Sequence, residues 1–515
     1  MGERDPRVEG DSVSDVELAY AVGQTVEVTV TDVAQGGWCV ARPEGLPVMF
    51  VRHALPGERV IAQVMEVTSR FARAEAIEVL EASPDRVEPP CPSARPGGCG
   101  GCDWQHATLP AQRALKAAVI AQQLRRVDGL DLGHEITVEP LPGDQPAGSG
   151  LGWRTRVQFA VRPDGVAGLR AHRSHEVIDI GDCPIAHPAI RDLGLLDHVW
   201  EGAGTVEAAV GSTGPSDTGP SDTGPSDTGP SDTGPSDTEP SDTDAVGSQP
   251  ERAIILTKAG RRAPRGRQAP GAAPGAAVAR AGRGRDTRDR SEERSVELFP
   301  QQAVDAVEAE AVLIRNGPKV TPLHGRQYLS QFAAGRYWQV SAGGFWQVHP
   351  AAADTLSDAV LGALEPKPGD TALDLYCGAG LFAGVLAPVI GPHGTITGIE
   401  SDAAAVKDAR ANLVSYRWVK VRKNDVAQAV ADVTLPPARL VVADPPRTGL
   451  AREVVDYLNS DSAAERFAYV SCDPATLARD LGLLIAGGWR VEWLRAFDAF
   501  PMTHHVECVA ALSRN

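Results

Sequence analysis

Five short apolar runs in the last third of the chain each end in an acidic residue or a thiol. They read T-A-L-D-L-Y-C-G-A-G (371–380), T-I-T-G-I-E (395–400), W-V-K-V-R-K-N-D (418–425), R-L-V-V-A-D-P-P-R (439–447) and F-A-Y-V-S-C-D-P (467–474). Helical stretches separate the runs, and strands alternating with helices build a parallel sheet. In an open sheet of this kind, ligands bind outside the carboxyl ends of the strands. Asp374, Glu400, Asp425, Asp444 and Cys472 are therefore expected around one crevice, with a nucleotide-like ligand beside a thiol nucleophile.

The 515 residues predict two to four domains at about 100–200 residues each. No apolar run approaches the ~18 residues of a membrane span, and no basic-then-apolar leader opens the sequence. A cytoplasmic, monomeric protein without membrane contact is expected. The net charge of −17 argues on its face against nucleic acid, because phosphate contacts need Lys and Arg. Much of that acidity, however, sits in low-complexity segments.

Residues 1–17 read as a disordered acidic tail. Residues 18–82 alternate with period two in V-E-V-T-V-T-D-V and continue as short apolar runs between Gly and Pro turns, predicting an OB-like β-barrel, a form that binds oligonucleotides. Residues 83–200 carry a cysteine segment, a helix near 109–127 and the first part of a central α/β region. Residues 201–298 read as a disordered insertion: P-S-D-T recurs every five residues from Pro215 to Pro240, and such a repeat has no hydrophobes with which to build a core. The Arg-, Ala-, Gly- and Pro-rich stretch 260–294 in the same interval is a linker or an RNA-contacting arm. Residues 299–340 complete the central region, and 341–515 form the doubly wound α/β domain, closing with an antiparallel pair.

In the crevice, Gly378 and Gly380 permit a tight strand-to-helix turn, but the full G-x-G-x-x-G fingerprint is absent. A single glycine turn suits a cofactor without a pyrophosphate. Glu400, about twenty residues on, stands where an acidic residue holds ribose hydroxyls, and Asp425 suits an adenine edge. Together these fit S-adenosylmethionine better than NAD.

Cys472 ends an apolar strand before a helix whose N-terminal dipole is expected to favour a thiolate. Glu507, in H-H-V-E-C-V (504–509), lies inside an otherwise apolar strand, so a carboxyl either paired or kept for proton transfer, its pKa raised by desolvation, is expected. Farther back, Cys91, Cys99 and Cys102 make C-x7-C-x2-C, and Cys183 follows in G-D-C-P-I. Four thiolates suit a [4Fe–4S] cluster or a structural zinc equally by ligand count. Cys39 and Cys508 read as strand packing.

L-D-L-Y-C-G-A-G, D-P-P-R-T-G, Y-V-S-C-D-P-A-T-L-A-R-D and H-V-E together resemble the RNA uracil-5-methyltransferases. The resemblance implies a TRAM domain for the barrel, Cys472 as the nucleophile that adds to uracil C6, and Glu507 as the base that removes the C5 proton. It implies a cofactor site of Gln347, Tyr376, Glu400, Asp425 and Asp444, with His349 standing where the family has asparagine. C-G-G-C-D-W-Q-H resembles the iron–sulfur segment of the branch acting on 23S ribosomal RNA, which favours a structural [4Fe–4S] cluster over zinc. The implied substrate is a 23S rRNA uridine. The tRNA T-loop uridine and a non-catalytic iron–sulfur RNA-binding protein are the alternatives. Arg154, Arg156, Arg162, Arg170, His172 and Arg173, interleaved with Trp153 and Phe159, are expected to contact RNA, since splayed bases stack on aromatics and arginine planes.

Overall fold

The computed structural model describes residues 20–130, 132–214, 250–259, 304–305 and 307–514. The acidic tail, the P-S-D-T repeat and the Arg-rich stretch lie outside the described residues.

Strands β1 (Thr25–Ala34), β2 (Trp38–Ala41), β3 (Val48–Arg52), β4 (Arg59–Val67) and β5 (Phe71–Glu81) close into a barrel in the order β1-β2-β3-β5-β4. Period-two alternation puts Val60, Ala62 and Val64 of β4 inside, against Val28 and Val30 of β1 and Ala72 and Ala74 of β5. Small inward residues suit so narrow a barrel, whose lumen side chains must fill.

The central region begins with α1 (Leu109–Leu124), started by a Thr108 side-chain cap on the Ala111 N–H and a proline in the first turn. Next come β6 (Val138–Pro140), β7 (Arg156–Val161), β8 (Ala167–Arg170), β9 (Val177–Ile178) and the short α2 (Pro188–Arg191). Four further strands, β10 (Ala203–Val210), β11 (Arg252–Lys258), β12 (Ala311–Asn316) and β13 (Lys319–His324), complete a seven-stranded sheet, β13-β12-β11-β10-β7-β8-β9. The expectation that 201–298 is disordered throughout is thereby corrected. Its two flanks, A-G-T-V-E-A-A-V and R-A-I-I-L-T-K, pair antiparallel in the middle of this sheet. They bury Val206, Ala208, Ile254 and Leu256, and the Pro, Ser and Asp content between them hides that pattern when the interval is read as a whole.

A hairpin of β14 (Tyr328–Ala333) and β15 (Arg336–Ser341) leads into the doubly wound domain. Its elements are α3 (Ala352–Leu364), β16 (Thr371–Leu375), α4 (Leu381–Ile390), β17 (Thr395–Glu400), α5 (Ala403–Asn412), β18 (Val419–Lys423) and α6 (Val426–Ala431). They continue with β19 (Leu440–Ala443), α7 (Arg452–Asp456), β20 (Arg466–Ser471), α8 (Pro474–Ala486), β21 (Arg490–Asp498) and β22 (Glu507–Ser513). The sheet order is β18-β17-β16-β19-β20-β22-β21-β6. The first five strands are mutually parallel, and β22 is antiparallel to both neighbours, as the terminal pair was expected to be. Strand order reverses between β16 and β19, the switch point where such sheets bind ligands.

This sheet recruits its last strand from far upstream. Strand β6 runs parallel to β21, and Ile120 and Leu124 of α1 share one buried core with Leu477, Leu481 and Leu484 of α8. The domain expected to start at 341 therefore includes a helix and a strand of the 83–200 segment. No helix among the described residues is long and apolar enough to cross a membrane.

Candidate active site

At the switch point, β16 ends in Asp374 and Leu375, and Tyr376 follows. Tyr376 adopts left-handed backbone (φ 65°), and Gly380, at φ 91°, starts α4. A Cβ on Gly380 would come within 2.9 Å of Leu413, so the turn requires glycine here. Glu400, at the end of β17, accepts the Gly378 N–H at 3.0 Å and the Asp402 N–H at 2.7 Å. Asp425 follows β18, caps α6 through the Gln428 N–H at 3.0 Å and is exposed. Burial, with the Asp425 charge next, raises the Tyr376 phenol to about 12. Gln347 is half-buried in the loop between β15 and α3. That loop is pinned to the central sheet where Thr155 gives its N–H and hydroxyl to the Val348 carbonyl, both at 2.9 Å. His349, in the asparagine position, stacks on Trp153 and accepts the Ala351 N–H at 3.3 Å. Burial lowers its pKa to about 4, keeping it neutral.

Under the turn, Asp374 is fully buried; one oxygen accepts the Ala383 N–H at 2.8 Å and the other has no partner. Burial raises its pKa to about 8 against the Ala383 hydrogen bond, with the Asp444 and Glu400 charges adding to the rise.

Across the crevice, the pairing of β20 with β22 matches Ser471 to Cys508. Half-buried Cys472 directly follows Ser471 and buried Glu507 directly precedes Cys508, so the pairing brings both residues to the same end of the two strands. Burial, then the charges of Glu507 and Asp444, push the Cys472 thiol up to about 12, while Arg447 pulls the other way. Burial and Asp444 likewise hold the Glu507 carboxyl well above its usual range, again opposed by Arg447. The expected stabilisation of a thiolate by the α8 dipole is corrected: Asp473 caps that helix, taking the N–H groups of Ala475 and Thr476 at 3.0 Å each. A carboxylate on the helix end cancels the field that a neighbouring thiolate would otherwise feel.

Two residues the sequence reading did not single out hold the Asp444–Arg447 loop. Buried Asp480 accepts the Leu450 N–H at 2.9 Å and the Tyr469 hydroxyl at 2.6 Å. Arg479 donates to Asp480 at 2.7 Å and to the Thr448 carbonyl at 2.9 Å. Their only sequence signal is the A-R-D tripeptide (478–480), about two helical turns beyond the nucleophile.

Cys91, Cys99, Cys102 and Cys183 line one cavity of about 540 Å³ with Arg154, Arg170 and His172. All four are free thiols. Burial raises Cys99, Cys102 and, to about 11, Cys183. Among the described residues, no group of three or more His, Cys, Asp or Glu side chains stands as a ready-made metal-ion site. Of the residues expected to meet RNA, Trp153, which precedes β7, and Phe159, on β7, are core (0 % and 3 % exposed) and unavailable for stacking. Arg156 is tied to Glu207 at 2.5 Å, and Arg162 to Asp164 at 2.6 Å. Arg173 approaches the barrel's half-buried Trp38, whose ring also meets Arg73 and the edge of His172, and both arginines pair with Glu66, at 3.7 and 2.5 Å.

Residues 332–515 match the family model described as tRNA (Uracil-5-)-methyltransferase, and residues 20–77 match the TRAM domain. An uncharacterized RNA methyltransferase of Streptomyces avermitilis is 44% identical over 497 residues, covering 95% of this chain and 98% of that one. One from Streptomyces coelicolor is 44% identical over 505 residues, covering 96% and 94%. Among solved structures, the Pyrococcus abyssi tRNA (uracil-54, C5)-methyltransferase in complex with S-adenosyl-L-homocysteine covers 95% of this chain and all of its own at TM-score 0.60 and 19% identity, a likeness of fold. The closed N-terminal barrel, the switch-point glycine turn and the Cys472–Glu507 pair thus sit in a chain that belongs to the RNA uracil-5-methyltransferase family.

Proposed function

We propose that the protein methylates C5 of a uridine in 23S ribosomal RNA, with S-adenosylmethionine as methyl donor, through a covalent bond between Cys472 and uracil C6. The observation that carries the reading is the placement of Cys472 and Glu507 next to the paired Ser471 and Cys508, at one end of adjacent strands. Uracil C5 is a weak nucleophile. Addition of the Cys472 thiolate to C6 makes C5 enolate-like, so that C5 can take the methyl group. Glu507 then removes the C5 proton, the C5–C6 double bond re-forms and the thiolate leaves. Covalent catalysis divides one difficult step into easier ones. Arg447 favours the thiolate and the Glu507 carboxylate that this sequence requires.

The residues fit the cofactor. Gln347, Tyr376, Glu400, Asp425 and Asp444 would hold it, Glu400 at the ribose and Asp425 at the adenine edge, and when bound it supplies an electrophilic methyl group. The target uridine must leave its stack to reach the crevice, at a cost of a few kcal/mol. Trp38 with Arg73 and Arg173 offers the stacking and charge that single-stranded RNA needs.

Cys91, Cys99, Cys102 and Cys183 are assigned to a [4Fe–4S] cluster of structural role. What supports this over zinc is the resemblance of C-G-G-C-D-W-Q-H to the iron–sulfur segment of the 23S ribosomal RNA branch, with all four cysteines lining one cavity. Iron, sulfide and zinc analysis of anaerobically purified protein tests it. Equal zinc and protein with no iron would reverse the assignment.

The tRNA T-loop reading is favoured by one observation, the full-length fold likeness to a tRNA enzyme. Mixing the protein and S-adenosylmethionine with 5-fluorouridine-substituted rRNA or tRNA fragments separates the two. Fluorine at C5 cannot leave as a proton, so the adduct persists on a denaturing gel. A band with rRNA alone, lost in Cys472→Ala, is the expected result; a band with tRNA alone would transfer the substrate, and no band with either would defeat the catalytic reading.

A further inference from the structure

The turn between β1 and β2 reaches the strand end of Cys472 directly and the segment before Glu507 through Asp103. Gln35 donates from Nε2 to Asp473 Oδ2 at 2.8 Å. Asp473 directly follows Cys472, and its other oxygen already caps α8. Two residues along, Gly37 (φ 79°) packs so closely on Asp103 that a Cβ there would lie 2.6 Å from the carboxyl carbon. Asp103 receives the Arg52 guanidinium of β3 at 3.2 Å and the His504 backbone N–H at 3.2 Å. The N–H groups of Asp103 and Trp104 both reach the Met502 carbonyl at 3.1 Å. Residues 502–504, held in this way, run straight into Glu507.

We infer that the β1–β2 turn of the barrel positions the catalytic pair: Gln35 through Asp473 for Cys472, and the Gly37–Asp103 contact for the segment before Glu507. The inference rests on the function proposed above. It gives the barrel a part in the reaction separate from gripping RNA. With Gln35 in place, both Asp473 oxygens are committed, so the backbone carrying the nucleophile has one setting. Without it, one oxygen turns to water and that setting loosens. A misplacement of about 1 Å can cost about a hundredfold in rate, and a loosened hydrogen bond less. Gln35 and Asp103 are positioning residues here, neither touching the reacting atoms.

The test uses the full chain. Gln35→Ala, Gln35→Glu and Gly37→Ala are compared with the unaltered protein for the rate of adduct formation on 5-fluorouridine RNA at saturating RNA and S-adenosylmethionine. RNA affinity and melting temperature are measured alongside. Gln35 is half-buried in a turn, so its variants stay folded even where Gly37→Ala does not. The expected result is a saturated rate about tenfold lower in Gln35→Ala, lower still in Gln35→Glu, which sets a carboxylate against Asp473, with RNA affinity within about twofold of the unaltered protein. An unchanged saturated rate, with or without weaker RNA binding, overturns the inference and leaves the barrel a clamp. Absence of any adduct from the unaltered protein fails the proposed function itself, and this inference with it.

Discussion

Cys472 follows Ser471 and Glu507 precedes Cys508, the last residues that pair β20 with β22, so a thiol and a carboxyl stand at the same end of two adjacent strands. Their separation of roles is testable with ordinary, unfluorinated RNA. Glu507→Gln should still form the cysteine adduct and accept the methyl group, but fail to expel the C5 proton. Turnover should fall roughly 10²–10⁴-fold while a methylated covalent complex accumulates, visible by mass spectrometry. Cys472→Ser should show neither complex nor product.

The raised Cys472 thiol predicts a pH dependence. With its value pushed to about 12 by burial and by Glu507 and Asp444, the thiolate fraction in the free protein rises about tenfold per pH unit through the neutral range. Alkylation of Cys472 by iodoacetamide, followed by peptide mass spectrometry, should therefore climb from pH 7 to pH 9 without a plateau. Removing the opposing cation in Arg447→Ala should slow it at every pH. A plateau near pH 7 would show a thiol already activated.

Asp374 predicts a stability change of definite sign. Its folded value of about 8 lies above the ordinary 3.8, so between these pH values the folded chain holds a proton that the unfolded chain has released. Stability is thus lost as pH rises from about 4 and the loss is complete above about 8. Asp374→Asn removes that penalty and keeps an acceptor for the Ala383 N–H. Its melting temperature should exceed that of the unaltered protein by roughly 2–4 °C at pH 9, the gap closing toward pH 4.

Lys116 of α1 is buried, with its ammonium 2.5 Å from buried Asp498 and 3.0 Å from the Phe500 carbonyl. Lys116→Met strands the Asp498 charge in the core and should destabilise the protein by about 3–5 kcal/mol. Lys116→Met combined with Asp498→Leu should recover most of that loss, measured by urea unfolding.

The five strand ends were legible because each lies in one local string: an apolar run, a polar terminus and a helix start. The barrel was legible for the same reason, its inward residues recurring with period two. Strands β10 and β11 were not, since a composition reading of 201–298 averages their buried valines and isoleucines with the proline-rich repeat between them. Phe159 misled because alternation names two faces without saying which meets water. The Cys472 thiol was misjudged because the helix field was counted without its Asp473 cap. Gln35 and Asp473, 438 positions apart, are joined by tertiary packing alone, and neither carries a local signal of the other.

Strand β6 has a consequence for the order in which the protein is made. Val138 pairs with Ala496, so one edge of the sheet leaves the ribosome long before its partner exists. Until β21 and α8 arrive, the apolar side of α1 and the open strand edge must wait uncovered, and exposed surface of that kind is where nascent chains aggregate. A C-terminal deletion that removes β21 and β22 would strip away the pairing strand of an element near the beginning as well as Glu507. Shortened products of this chain are therefore natural clients of chaperones, even where their N-terminal barrel has closed.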